Sequence, residues 1–165
     1  MTSAVGLTPS TEGGDPPCWS HHFEDGHDIE DRDDIELLVR NFYRSAAMDD
    51  LLGPVFEAAR VNWNAHIATF IDFWSWQLLG EPGYGGQPLL AHQPVNARTP
   101  LSSAHYARWV QLFCDTVDDS FVGARAEVAK GRGRKMAAAM ERLLGGVSES
   151  GAVAMEPLWR RDSVS

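Results

Sequence analysis

The chain has 165 residues, enough for one domain with one core, and its 44% hydrophobic residues, six Trp and seven Phe can fill that core or line a large flat cavity. A formal net charge of −9 at pH 7 argues against a polyphosphate backbone or an anionic membrane surface, so neither nucleic acid nor membrane is expected as a partner. The two cysteines, Cys18 and Cys114, exclude a disulfide framework and a paired metal-binding spacing, and a reducing cytoplasm is the expected location.

The start of the chain has no basic segment followed by an apolar run, and no stretch approaches the roughly 18 apolar residues of a membrane span, so a soluble, unprocessed protein is expected. Residues 1–33 are rich in Ser, Thr, Gly, Pro and acidic groups, lack apolar periodicity and close on the acidic run Glu24 to Asp34, which predicts a disordered leader. Deleting residues 1–30 is accordingly expected to cost little stability. His21, His22 and His27 stand among carboxylates there, where a divalent metal is the alternative to a solvated tail.

From Asp34 the period becomes helical, with Ile35, Leu38, Val39, Phe42, Tyr43 and Ala46 on one face and Asp33 or Asp34 available as a cap. Gly53-Pro54 interrupts a long helix, and Phe56 ends this corner. A long helix is predicted from Val61 to Leu79, stopped by Gly80, with apolar groups nearly all round and hence burial on more than one side. The segment Gly80 to Pro88 leads into a short turn, Leu89 to His92, which Pro94 should stop.

Ser102 or Ser103 then starts a helix whose face carries Tyr106, Trp109, Val110, Phe113 and Val117. A last helix is predicted from Phe121 to Leu144, weakened in its middle by Gly131 and Gly133, where a bend is expected. Residues 146–165 read as a second loose tail, leaving a folded unit at 34–145. No strand pattern competes, and the fold class is all-α.

No phosphate-cradling loop, glycine-flanked Ser nucleophile or His-Glu-x-x-His helix is present. The informative pair is His66 and His92. His66 heads a helical stripe with Phe70, Phe73 and Gln77, and His92 lies 26 residues later behind a Gly/Pro segment that lets the chain reverse, so two imidazoles can face each other across a gap. On spacing alone a core histidine satisfied by a backbone carbonyl, within a plain helical bundle, stays open.

A series of linked motifs goes further. Asn41-Phe-Tyr43, Leu51-Leu-Gly-Pro-Val-Phe56, Trp63-Asn-Ala-His66, Phe73-Trp74, Leu78-Leu-Gly80, Gly83-Tyr84-Gly-Gly-Gln-Pro88, Ala91-His92 and Arg108-Trp-Val-Gln-Leu-Phe113 occur in one order. In that order and spacing the chain resembles the group III truncated haemoglobins. The resemblance implies a shortened globin, a two-over-two helical sandwich around haem.

It also implies His92 as the proximal iron ligand and Tyr43, His66 and Trp109 as distal groups that stabilise a gas ligand. Phe56 matches the corner phenylalanine against the porphyrin, and Phe70, Phe73 and Trp74 would help wall the pocket. The absence of a Cys-x-x-Cys-His attachment pattern makes the expected cofactor a non-covalent haem b. The implied function is binding of O2, CO or NO, with ligand retention or redox turnover of the NO dioxygenase or peroxidase kind, supplied by an electron donor or reductase.

The alternative is a haem-free helical interaction or regulatory domain. One departure is plain: between His92 and the Trp109 helix the family shows an apolar-Pro step, whereas this chain has the more polar run Pro94 to Pro100, in which Arg98 is a candidate partner for a haem propionate.

Overall fold

The computed structural model describes residues 26–145, and within them every regular element is a helix. The elements are α1 (Arg32–Ala47), α2 (Gly53–Ala59), α3 (Trp63–Leu79), α4 (Pro88–Arg98), α5 (Ser103–Ser120) and α6 (Ala124–Gly145). The loose tail expected at 146–165, and His21 and His22, for which a divalent metal is the alternative to a solvated leader, lie outside the described residues.

The predicted face of α1 is the buried one, with Ile35, Leu38, Val39, Phe42, Tyr43 and Ala46 all inside. Its start differs from expectation. The cap is Asp31, whose carboxylate accepts from the amides of Asp33 and Asp34, while Asp34 reaches back to the amide of Asp31. The two acidic residues read as caps therefore occupy the first turn, where the positive end of the helix favours them.

The core also takes in a residue ahead of position 34. Ile29 is fully buried in the core. The neighbouring Asp28 carboxylate accepts from the amides of Arg125 and Ala126 at 2.8 Å each, capping α6 across the molecule. Gly123 makes room for it, since a Cβ there would stand 2.3 Å from Asp28 Cγ, and its φ of +155° suits glycine. A single apolar residue without periodic neighbours makes no pattern, which hides this strap in the sequence.

Removing residues 1–30 is thus expected to destabilise the fold. Ile29→Ala should cost about 2–5 kcal/mol, and Asp28→Ala about 0.5–2 kcal/mol through the lost cap. Urea denaturation checks both, and shifts below about 0.5 kcal/mol in each variant would show that the strap holds nothing.

α1 packs on α3 and α5, and α5 packs on α6, so the two helix pairs α1/α3 and α5/α6 form two layers. Their seam is aromatic: Trp74 of α3 stacks on Phe113 of α5 at 4.8 Å, Phe113 stacks on Trp109 at 5.1 Å, and Phe42 of α1 meets both α5 rings edge-on. Gly133 of α6 lies where a Cβ would come within 2.9 Å of the Phe113 ring, so this glycine permits the close α5–α6 crossing. α6 runs unbroken from Ala124, and Phe121, expected to begin it, instead ends α5.

Three further expectations change. Gly53-Pro54 does not merely interrupt: Pro54 stands in the first turn of α2, where its missing N–H costs nothing. α3 is buried on fewer sides than its composition suggests, with only Ile71, Trp74 and Ser75 fully inside and Trp76 46% exposed. α4 continues past Pro94 to Arg98. A proline inside a helix removes one backbone bond, and here the helix continues beyond it in contact with α6.

Candidate functional site

Between the layers lies a cavity of about 220 Å³ with mostly apolar walls. α1 contributes Tyr43, α2 Phe56, α3 His66 and Phe70, α4 His92, and α5 Trp109. Six of the eight residues singled out in the sequence therefore meet at one place. Two do not. Phe73 shares the His66 stripe, but at 1.5 Å per residue it stands about 10 Å further along α3, where its ring meets Tyr84 rather than the cavity. Trp74 is turned about 80° from His66 around the helix and is spent in the core stack on Phe113.

The aromatic end of the cavity is built around Tyr43. Its ring lies 4.8 Å from that of His66, 5.2 Å from Phe70 and 6.1 Å from Phe56, edge-on in each case. Burial pushes the Tyr43 phenol well above its usual range, so it remains a neutral O–H.

His66 sits just inside α3, whose start is fixed by the Asn62 side chain accepting from the Ala65 amide. Its Nε2 is buried and without a hydrogen-bond partner. Burial, and secondarily the charge of His92 across the cavity, lowers its pKa to about 4.

His92 is oriented differently. Its Nδ1 is 2.7 Å from the Pro88 carbonyl oxygen, an acceptor only, so Nδ1 carries the proton and donates, leaving the Nε2 lone pair free. The geometry thus offers an imidazole with one nitrogen committed to the backbone and the other available as a ligand.

Part of the wall is not announced by the sequence motifs. His105, Tyr106, Met136 and Met140 also line the cavity, and the Tyr106 hydroxyl is buried without a partner. For Tyr106 a signal exists, since it precedes Trp109 by one turn of the same helix. His105 has none: its Nδ1 accepts from the Ser102 amide at the start of α5, a local bond its neighbours in sequence do not reveal. Arg98 lies exposed in the last turn of α4 and does not line the cavity.

The His66 shift has a pH consequence. Its folded-state pKa is depressed below 6.5, so on acidification the unfolded chain takes up the proton first. Stability is complete above about pH 6.5 and is lost progressively toward pH 4. Urea denaturation at pH 7 and pH 4.5 should show a smaller acid loss in His66→Gln than in the native sequence. Equal losses would mean that His66 is protonated as easily in the folded state.

Six helices in the order and layering described here, with a histidine-lined cavity between the layers, define a shortened globin. No family model matches the chain. A group 3 truncated haemoglobin of Campylobacter jejuni is 32% identical over 91 residues, covering 53% of this chain and 69% of that protein. The crystal structure of group III truncated haemoglobin from Campylobacter jejuni superposes with a TM-score of 0.64 at 26% identity, over 73% of this chain and 95% of that one. The chain belongs to the group III truncated haemoglobins.

Proposed function

We propose that the chain holds a non-covalent haem b in this cavity, which His92 would hold through Nε2, and that it binds O2, CO or NO among Tyr43, His66 and Trp109. Residues 26–145 form the globin unit in this reading. The observation that carries it is the convergence of His92, its Nδ1 held by the Pro88 carbonyl, and His66, its Nε2 buried and unpartnered, on one apolar cavity.

The residues present fit the group. A buried imidazole nitrogen with no partner is costly in a finished core and ordinary in a site that receives a ligand. Bound haem supplies the iron at which a diatomic gas is held and, with electrons from a reductase, turned over in NO, O2 or peroxide chemistry.

The protein's own residues do the rest. His92 Nδ1–H donates to the Pro88 carbonyl, which keeps the ring from rotating and raises the basicity of Nε2. Tyr43, neutral because buried, and Trp109, a donor only through its indole N–H, offer hydrogen bonds to a gas carrying partial negative charge. His66, uncharged above about pH 4, can donate from one nitrogen without bringing a full charge into the cavity. Phe56 and Phe70 exclude water, which strengthens each of these bonds.

Three donors exceed what simple reversible carriage needs, which supports ligand retention or redox turnover over bulk transport. Among the described residues no helix is long and apolar enough to cross a membrane, and the scarcity of cysteine supports a cytoplasmic location.

The test is an absorption spectrum of the purified full chain with added haem. A Soret band that acid-acetone extraction removes is expected. No band would sink this reading and leave a haem-free helical interaction domain, and a band that resists extraction would refute non-covalent attachment.

A further inference from the structure

α4 carries His92, yet of its eleven residues only Asn96 is buried. The others are exposed or half-buried, Leu90 to the extent of 54%, and Pro94 removes a backbone bond from the middle of the helix. Away from the cavity that Pro88, Ala91, His92 and Val95 line, apolar packing therefore does little to fix the helix that presents His92.

Asn96 supplies what packing does not. Its Nδ2 donates to the Leu144 carbonyl in the last turn of α6 at 3.1 Å, and its Oδ1 accepts from the Leu101 amide at 2.9 Å. Both backbone groups need such a partner: Leu144 O belongs to the carbonyls that a helix end leaves unbonded, and Leu101 N lies in the connection between α4 and α5. One side chain thus ties α4, the end of α6 and the approach to α5 together. It stands four residues after His92, on the same face and one turn away, and Pro88, the partner of His92 Nδ1, stands four residues before it.

We propose that Asn96 is a positioning residue for His92: through its bonds to Leu144 and Leu101 it sets where α4, and with it the His92 Nε2, stands relative to the cavity. The polar run Pro94 to Pro100 thereby acquires a role, since the Asn96 amide donates to a helix-end carbonyl and accepts from a loop amide at once. The assignment rests on the reading of His92 as the axial ligand of a haem.

The test uses the full chain loaded with haem, comparing the native sequence with Asn96→Ala, Asn96→Asp and Asp28→Ala. Asn96→Asp keeps the shape and the acceptor for Leu101 but turns a carboxylate oxygen toward the Leu144 carbonyl. Asp28→Ala removes the cap at the far end of α6 and serves as a variant destabilised away from α4.

Resonance Raman of the ferrous, ligand-free protein reads the iron–histidine stretching band, and transfer to an excess of a haem-scavenging protein reads haem loss. Both Asn96 variants should shift or broaden the band and lose haem about 10-fold faster or more, the size typical when a group supporting a metal ligand is removed. Asp28→Ala should lower the melting temperature and leave the band in place.

An unchanged band and haem-loss rate in both Asn96 variants overturns the proposal, as does an equal band shift in Asp28→Ala. Should the native chain take up no haem, the functional reading fails separately. The clamp is then read on the haem-free chain by the NMR signals of the His92 ring and hydrogen exchange of the Leu101 amide. Displaced His92 signals with faster exchange in Asn96→Ala support it, and unchanged signals overturn it.

Discussion

Replacing His92 by alanine is expected to strip the chain of nearly all its haem, while His66→Ala retains most of it. The two imidazoles line the same cavity, and their surroundings assign them different tasks. His92 is prepared as a ligand: the Pro88 carbonyl 2.7 Å from Nδ1 fixes the tautomer and leaves Nε2 unencumbered. His66 is a buried neutral ring among aromatics, with no group to fix its tautomer at Nε2.

Losing a group that supports a metal ligand costs roughly 10–100-fold in affinity, so losing the ligand itself should cost more than about 100-fold. Of the two rings only that of His92 has a protein hydrogen-bond partner, the Pro88 carbonyl, so both variants should fold. Haem titration followed at the Soret band, with circular dichroism to check folding, is the measurement. Equal loss of affinity in both variants would mean that the two histidines share the role or hold each other's.

Tyr43→Phe is expected to speed O2 dissociation about tenfold for each 1.4 kcal/mol of hydrogen bond removed, with a much smaller effect on CO. The ring of Tyr43 is held edge-on by Phe42, Phe56, His66 and Phe70, all within 6.1 Å, so phenylalanine should keep the packing and delete only the O–H. Burial holds the phenol neutral, which makes it a donor throughout the physiological pH range. In a largely apolar cavity such a bond is worth more than the roughly 0.5–1.5 kcal/mol net of ordinary sites, since no water competes for it.

O2 accepts hydrogen bonds more strongly than CO when held at ferrous iron, and that difference is what the variant should expose. Stopped-flow displacement on the ferrous protein decides the matter. An O2 off-rate unchanged in Tyr43→Phe would remove Tyr43 from the gas site and leave the Trp109 indole as the donor to test next.

Many of these features are legible in the amino-acid sequence. The buried face of α1 follows residue by residue from a period of 3.6, because a regular helix converts sequence spacing directly into direction. The end of α3 at Gly80 follows as well, since the residue there adopts φ +72°, which glycine takes without strain. That Tyr43, Phe56, His66, Phe70, His92 and Trp109 share one cavity is implied by the family resemblance of the motifs that carry them.

Helical direction alone does not say how far along an axis a residue stands relative to a gap formed by other helices. Phe73 points with His66 and yet falls beyond the cavity, and Trp74 is claimed by Phe113. Contacts distant in sequence are invisible for the same reason. Ile29 and Asp28 read as part of a polar leader, though Asp28 caps a helix that begins 96 residues later. α4 reads as a single turn because Pro94 weakens it locally, whereas it continues to Arg98, with Asn96 bonded to the end of α6.

By itself, then, the sequence determined what is local or periodic: the helix faces, the stops at glycine, the phenol and imidazoles available for a site, and the family pattern that orders them. Tertiary structure alone decided which of those side chains share a cavity, how far the packed core extends ahead of α1 and which backbone groups Asn96 meets. The physical reason is that burial and hydrogen-bond satisfaction are properties of the whole packed chain. A polar group such as Asp28 or Asn96 acquires its role only when folding brings an unbonded backbone amide or carbonyl to meet it.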